Sequence, residues 1–192
     1  MATAGTFRAD ASLAAADRIV IPVLEAVALN TMDVSAVAVP HDAASPIAVV
    51  ATARRSGARI GVAYDLGRAT DVVRRGLADL DVLIIESNHD EGMLRAGPYP
   101  PSVSRRIAGP LGHLSNTASA DLARSVAHHG LSRVVLAHLS ATCNEPALAL
   151  GTMKAALTRG RLGGVKPGLS VALQDSVAGP FGPGADQLAL GF

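Results

Sequence analysis

Four polar residues each close an apolar run in this 192-residue chain. His41 follows Val34–Val39 through Pro40, Asp65 follows Arg59–Tyr64, Glu86 ends Asp81–Ile85, and His138 ends Arg133–Ala137. A lone histidine at a strand end is usually a hydrogen-bonded structural residue, and Asp65 in Asp-Leu-Gly also reads as a turn residue. Two histidines and an aspartate in equivalent positions are another matter, because together they are the ligand chemistry of a hydrolytic zinc site. His113, in Gly-His-Leu-Ser-Asn, lies in a loop before an expected helix and is unremarkable by itself. His128 and His129 fall in the last turn of that helix, where partial positive charge is favourable, and need no further role.

The elements that must position these residues alternate between short β-rich runs and amphipathic helices. Val34–Val39, Ile47–Thr52 and Arg59–Tyr64 are bounded by Pro, Gly or polar residues and read as strands. Asp81–Glu86 and Arg133–His138 are nearly continuous Val, Leu and Ile, which suits strands buried on both faces. Thr70 is a plausible N-cap for a helix over Asp71–Leu80, and Pro101 suits the first turn of another through Ile107. Ser115 or Asn116 caps a helix running to His129 and stopping at Gly130. Asn144 caps one reaching about Arg159, with Pro146 in its first turn. Ile19–Val23 reads as a strand, and Leu13–Ala16 as a very short apolar run. Residues from about 160 to 192 form an irregular tail with one short strand, Leu169–Gln174. The whole reads as a single layered α/β domain over 1–192, with ligand chemistry collected above strand ends.

Bulk properties bound the function. The apolar fraction is 49% and the charged fraction 17%, enough for a packed core and too few charges for a disordered chain. Net charge is +1, so there is no electrostatic footprint for nucleic acid or membrane. Cys143 is the only cysteine, so an intrachain disulfide is excluded and a reducing compartment is the default. With no signal-peptide pattern and no apolar run long enough to span a bilayer, the expectation is a cytoplasmic protein with no membrane partner.

Several blocks together carry a family resemblance. Glu86-Ser-Asn-His-Asp-Glu-Gly-Met-Leu-Arg-Ala-Gly-Pro-Tyr-Pro-Pro, then Arg106-Ile, Gly112-His-Leu-Ser-Asn and Val134-Val-Leu-Ala-His-Leu-Ser, closely resemble the YycJ/WalJ family. Val39-Pro-His-Asp-Ala and Tyr64-Asp-Leu-Gly match two further blocks in the right order. The resemblance covers nearly everything from Ala4 to about Leu157. It implies an αββα metallo-β-lactamase sandwich, a two-metal centre holding zinc or manganese, and hydrolysis of phosphodiesters, with DNA as the favoured substrate. It makes His41 a ligand of one metal, His138 a ligand of the other, and Asp65 the carboxylate bridging them. His113 resembles the loop histidine that, in RNA-processing relatives, protonates the leaving oxygen. Glu86, His89 and Asn116 are expected to orient a ligand or the substrate.

One departure limits the expectation. The family's HxHxDH motif is absent, and no histidine precedes His41. Each metal would keep one histidine and a share of Asp65, whereas catalytic zinc normally takes three or more protein ligands. The expectation is a chain that is weak or inactive as written. A start codon assigned inside the gene is the favoured explanation, and a shortened, inactive paralogue the other. The alternative readings are a non-catalytic binding domain and a hydrolase of small esters or thioesters.

Overall fold

The computed structural model describes residues 1–10, 19–23, 25–159, 166–177 and 179. Among them, seven strands form one mixed sheet in chain order: β1 (Ala26–Leu29), β2 (Met32–Ala38), β3 (Ile47–Ala53), β4 (Arg59–Ala63), β5 (Val82–Glu86), β6 (Arg133–Ala137) and β7 (Gly168–Val171). Neighbours from β1 to β4 pair antiparallel, and those from β4 to β7 pair parallel. The two reversals between β2 and β4 leave β2 running the same way as β4, β5, β6 and β7. The C-terminal ends of β2, β4, β5 and β6 therefore open along one edge of the sheet.

Six helices complete the described residues: α1 (Ala4–Ala9), α2 (Asp71–Gly76), α3 (Glu91–Ala96), α4 (Pro101–Ile107), α5 (Asn116–Val126) and α6 (Pro146–Arg159). The main core lies between one face of the sheet and α2, α5 and α6. There Val37, Val50, Ala63, Leu83, Ile85, Val134 and Leu136 meet Val73, Leu122, Ala123, Met153 and Leu157. Alternation along each strand selects this set, because residues two apart share a face. Gly61 within β4 leaves room for the buried Leu80 side chain, which would have to shift if a Cβ were added there. On the opposite face Ile21, Val34 and Ala36 form a smaller cluster, flanked by half-buried Val27, Leu29, Ile47, Val49 and Ala51.

Several elements differ from expectation. Ile19–Val23 is not a strand; Val20 and Val23 make only isolated bridges, to Ala2 and Ala36. The helix expected over Asp71–Leu80 stops at Gly76, and Asp79 just beyond it adopts a left-handed φ of 57°. The helix opened by Ser115 ends at Val126 rather than His129, because Ala127 is extended at ψ 136°. His128 accordingly does not complement a helix end: its Nε2 lies 2.9 Å from the carbonyl of Leu80, and its Nδ1 accepts from the Gly130 N–H. The strand expected over Leu169–Gln174 is β7, shifted to Gly168–Val171. β1, α1 and α3 are additional elements, too short to show a clear period in the sequence. The Leu13–Ala16 run and most of the tail beyond residue 177 lie outside the described residues.

Candidate metal centre

The open edge of the sheet gathers five of the polar residues singled out above. His41 stands three residues beyond β2, Asp65 two beyond β4, Glu86 ends β5, and His138 is the first residue after β6. His113 enters from the loop between α4 and α5. That loop passes so close to the end of α4 that a Cβ on Gly112 would collide with the carbonyls of Arg106 and Ile107. The close approach delivers the Gly112 carbonyl to His41, whose Nδ1 lies 2.9 Å away. A neutral His41 thus donates from Nδ1 and keeps its Nε2 lone pair free, facing Asp65 Oδ1 at 3.9 Å and Asp42 Oδ1 at 3.5 Å.

Asp65 is the centre of the group. Its Oδ1 lies 3.6 Å from Nδ1 of both His113 and His138, besides its approach to His41. The imidazole centroids follow at 5.1 Å (His41 to His113) and 5.2 Å (His113 to His138). Asp65 and His138 both adopt left-handed backbone, at φ 57° and 56°. Such a conformation costs a non-glycine residue about 1–2 kcal/mol, and it collects where side chains must be aimed rather than merely accommodated.

Glu86 is the anchor beneath them. It is fully buried. Its Oε1 accepts from His113 Nδ1 at 2.7 Å and His138 Nδ1 at 2.8 Å, while Oε2 accepts from the Leu66 and Leu114 N–H groups at 3.2 Å each. Burial by itself pushes this carboxyl up; the hydrogen bonds from His113 and His138 outweigh it and hold Glu86 below the ordinary carboxylate range. His138 is held above the usual histidine value, chiefly by the Glu86 hydrogen bond, with burial opposing. Both rings therefore present Nε2 as their free nitrogen, the orientation found when a carboxylate backs a ligating histidine.

The remaining two candidates do not reach this group. Asn116 is buried behind it: its Oδ1 accepts from Ser87 Oγ at 2.6 Å, and its amide pairs reciprocally with that of Asn144 at 2.9 Å. Asn144 also donates to the carbonyls of Ser87 and Asn88, so it ties the loops after β5 and β6 to the start of α5. The sequence marks Asn144 only as a helix cap, and nothing local to it signals this tie. His89 is 2% exposed, and its ring Nδ1 has no hydrogen-bond partner. Burial pushes its pKa down. It turns away from the cluster, into a small cleft with Leu94 and Arg95.

Chemically the group gathers imidazoles and carboxylates of a kind that can hold a metal ion. One ligand atom each from Asp65, Glu86, His113 and His138 lie within 4.8 Å of one another, and His41 joins through Asp65. The group floors an open cavity of about 1120 Å³, walled by Tyr64, Asn88, Tyr99, Leu139 and Leu173 among others.

A sheet bearing this edge places the chain in the metallo-β-lactamase fold class, and solved structures agree. It superposes on the metallo-β-lactamase fold protein YhfI from Bacillus subtilis with a TM-score of 0.57 at 13% identity, covering 80% of this chain and 52% of that one. On zinc-bound PqqB from Methylobacterium extorquens the TM-score is 0.60 at 19% identity, covering 89% of this chain and 61% of that one. Its curated sequence relatives are of the YycJ/WalJ type, as the sequence blocks indicate. The chain is 32% identical over 118 residues to exodeoxyribonuclease YycJ of Bacillus anthracis, and 30% identical over 132 residues to exodeoxyribonuclease WalJ of Streptococcus pneumoniae. These alignments cover 62% and 69% of this chain but 44% and 48% of the relatives, so the chain spans about half the length of the proteins it matches. No protein-family model matches it. Among the described residues no helix is long and apolar enough to cross a membrane.

Proposed function

We propose that this chain is part of a metal-dependent phosphodiesterase system acting on nucleic acid, with DNA as the first substrate to test. The observation that carries the reading is the convergence of three histidine rings on Asp65, whose Oδ1 stands 3.9 Å from the free Nε2 of His41 and 3.6 Å from the Glu86-bound edges of the His113 and His138 rings. The donor chemistry fits a metal: imidazole and carboxylate suit zinc, with manganese as competitor. His41 and Asp65 would hold one ion, and His138 with the same Asp65 the other. Such a pair, when bound, supplies phosphoryl polarisation and a nucleophile at neutral pH.

The protein's own residues supply the rest. Glu86 fixes His113 through Nδ1, so that only Nε2 is free to exchange a proton. Carrying a proton on Nε2 as well, the ring is the donor that a departing oxygen requires. A proton given from Nε2 to the departing oxygen removes the barrier of expelling an alkoxide. Glu86 holds His138 by the same atom, keeping that ring in one tautomer. The names of the YycJ and WalJ relatives support the choice of DNA.

The ligand count sets the expected strength. Two protein ligands per metal, one of them shared, should bind weakly. Calorimetric titration of the purified 192-residue chain with zinc should show weak binding. It should be accompanied by slow, chelator-sensitive cleavage of a labelled DNA strand that Asp65→Asn abolishes. Metal binding with no DNA cleavage at any protein concentration would favour a non-catalytic binding domain. Preferential turnover of a thioester would favour a small-ester hydrolase.

A further inference from the structure

The aromatic residues of this chain are few, and their placement is informative. It has two tyrosines, three phenylalanines and no tryptophan. Both tyrosines, Tyr64 and Tyr99, line the cavity that opens above the histidine–carboxylate group. Tyr64 follows Ala63, which is fully buried, yet Tyr64 is itself 44% exposed. Its ring centroid stands 6.1 Å from that of His138 at an interplanar angle of 40°, and it immediately precedes Asp65 in the chain. A single exposed aromatic is common on protein surfaces. Every tyrosine of a chain on one cavity, with one ring uncovered beside the reactive group, is not accounted for by the core.

We propose that Tyr64 is a stacking platform for a nucleobase of the substrate, holding that nucleotide with its phosphate over the histidine–carboxylate group, and that Tyr99 forms a second wall of the same subsite. The inference rests on the nucleic-acid reading above and names how that substrate is held. Two physical arguments support it. With a net charge of +1 the chain carries little excess positive charge from which phosphate contacts draw affinity, so a further source of binding is called for. Stacking provides one, and it is tolerant of sequence because every base presents a π-face, which suits an enzyme that must accept any nucleotide.

The composition also supplies the assay. With no tryptophan, intrinsic fluorescence reports tyrosine alone, and both reporters line the cavity. The full chain, in zinc-containing buffer, is titrated with a short single-stranded DNA and with an abasic strand of the same length. The base-bearing strand should quench the emission, including in Tyr99→Phe, where Tyr64 is the only tyrosine left; the abasic strand should not. Anisotropy with a labelled strand should show Tyr64→Ala weakening binding roughly tenfold or more, and Tyr64→Phe retaining it within about twofold. Because the ring is so exposed, Tyr64→Ala should keep its melting temperature, which separates lost stacking from lost fold. If both strands bind equally and Tyr64→Ala changes nothing, the stacking role is wrong while the nucleic-acid reading stands. If neither strand binds, both are wrong.

Discussion

Replacing Glu86 by glutamine keeps the shape of the side chain and removes its charge, and the structure dictates what must follow. Oε1 receives two ring N–H groups and Oε2 two backbone N–H groups, so the ionised carboxylate is matched by four donors. An amide cannot match them. With its NH2 toward Leu66 and Leu114, two buried backbone donors lose their acceptor, at about 1–3 kcal/mol each. With its NH2 toward His113 and His138, the backbone is satisfied, but both rings must accept at Nδ1 and carry their proton on Nε2 instead. The second arrangement costs less. It replaces two charge-assisted bonds of about 1.5–3 kcal/mol by neutral ones of about 0.5–1.5 kcal/mol. Relief of burying an ionised carboxylate offsets part of that loss. The net destabilisation should be about 1–3 kcal/mol, a fall of roughly 3–10 °C in melting temperature for a chain of this size. Zinc affinity should fall about tenfold to a hundredfold, because Nε2 then carries a proton where a lone pair is needed. Scanning calorimetry with chelator gives the first number, titration calorimetry the second, and long-range nitrogen–proton NMR the tautomers. Glu86→Leu, which strands all four donors, should be destabilised further. A glutamine variant with unchanged melting temperature and zinc affinity would show that Glu86 is not the anchor described.

His138→Ala should lower zinc binding, whereas His113→Ala should leave metal content intact and lower turnover of a natural phosphodiester by roughly a hundredfold to ten-thousandfold. The His113 loss should be much smaller on a nitrophenyl ester, whose leaving group needs no proton; equal losses would move the acid role elsewhere. His89 is buried with its pKa pushed down by desolvation, so it is neutral in the fold and binds a proton more readily when unfolded. Stability from this residue is therefore full above the ordinary histidine pKa near 6.5 and declines as pH falls below it, until the lowered folded pKa is passed. Melting temperature against pH should lose that acid-side decline in His89→Leu, and an identical profile would contradict the assignment.

Where the strands end, and which residues stand there, is legible in the local sequence. Runs of Val, Ile and Leu bounded by Pro, Gly or polar residues marked β2 to β6 to within a few residues. His41, Asp65, Glu86 and His138 were visible because each interrupts such a run. These are local signals, carried by alternation and by the cost of burying polar groups, and they are read along a single strand. Short elements such as β1, α1 and α3 carry too few periods to be seen in this way. That four strand ends meet at one edge is a property of pairing: it needs two antiparallel reversals between β2 and β4 and parallel crossovers after them. No stretch of residues around His41 states that its strand runs parallel to that of His138. The loops held a further decision. Glu86 and His89 are three residues apart in one block, yet Glu86 lies under the histidines and His89 turns into a separate cleft. Asn116 likewise faces Asn144 rather than the site. Beyond a strand end the chain has no period, so the direction of each side chain is set by what packs around it: the left-handed backbone at Asp65 and His138, the collision that keeps Gly112 bare, and the four donors that converge on Glu86.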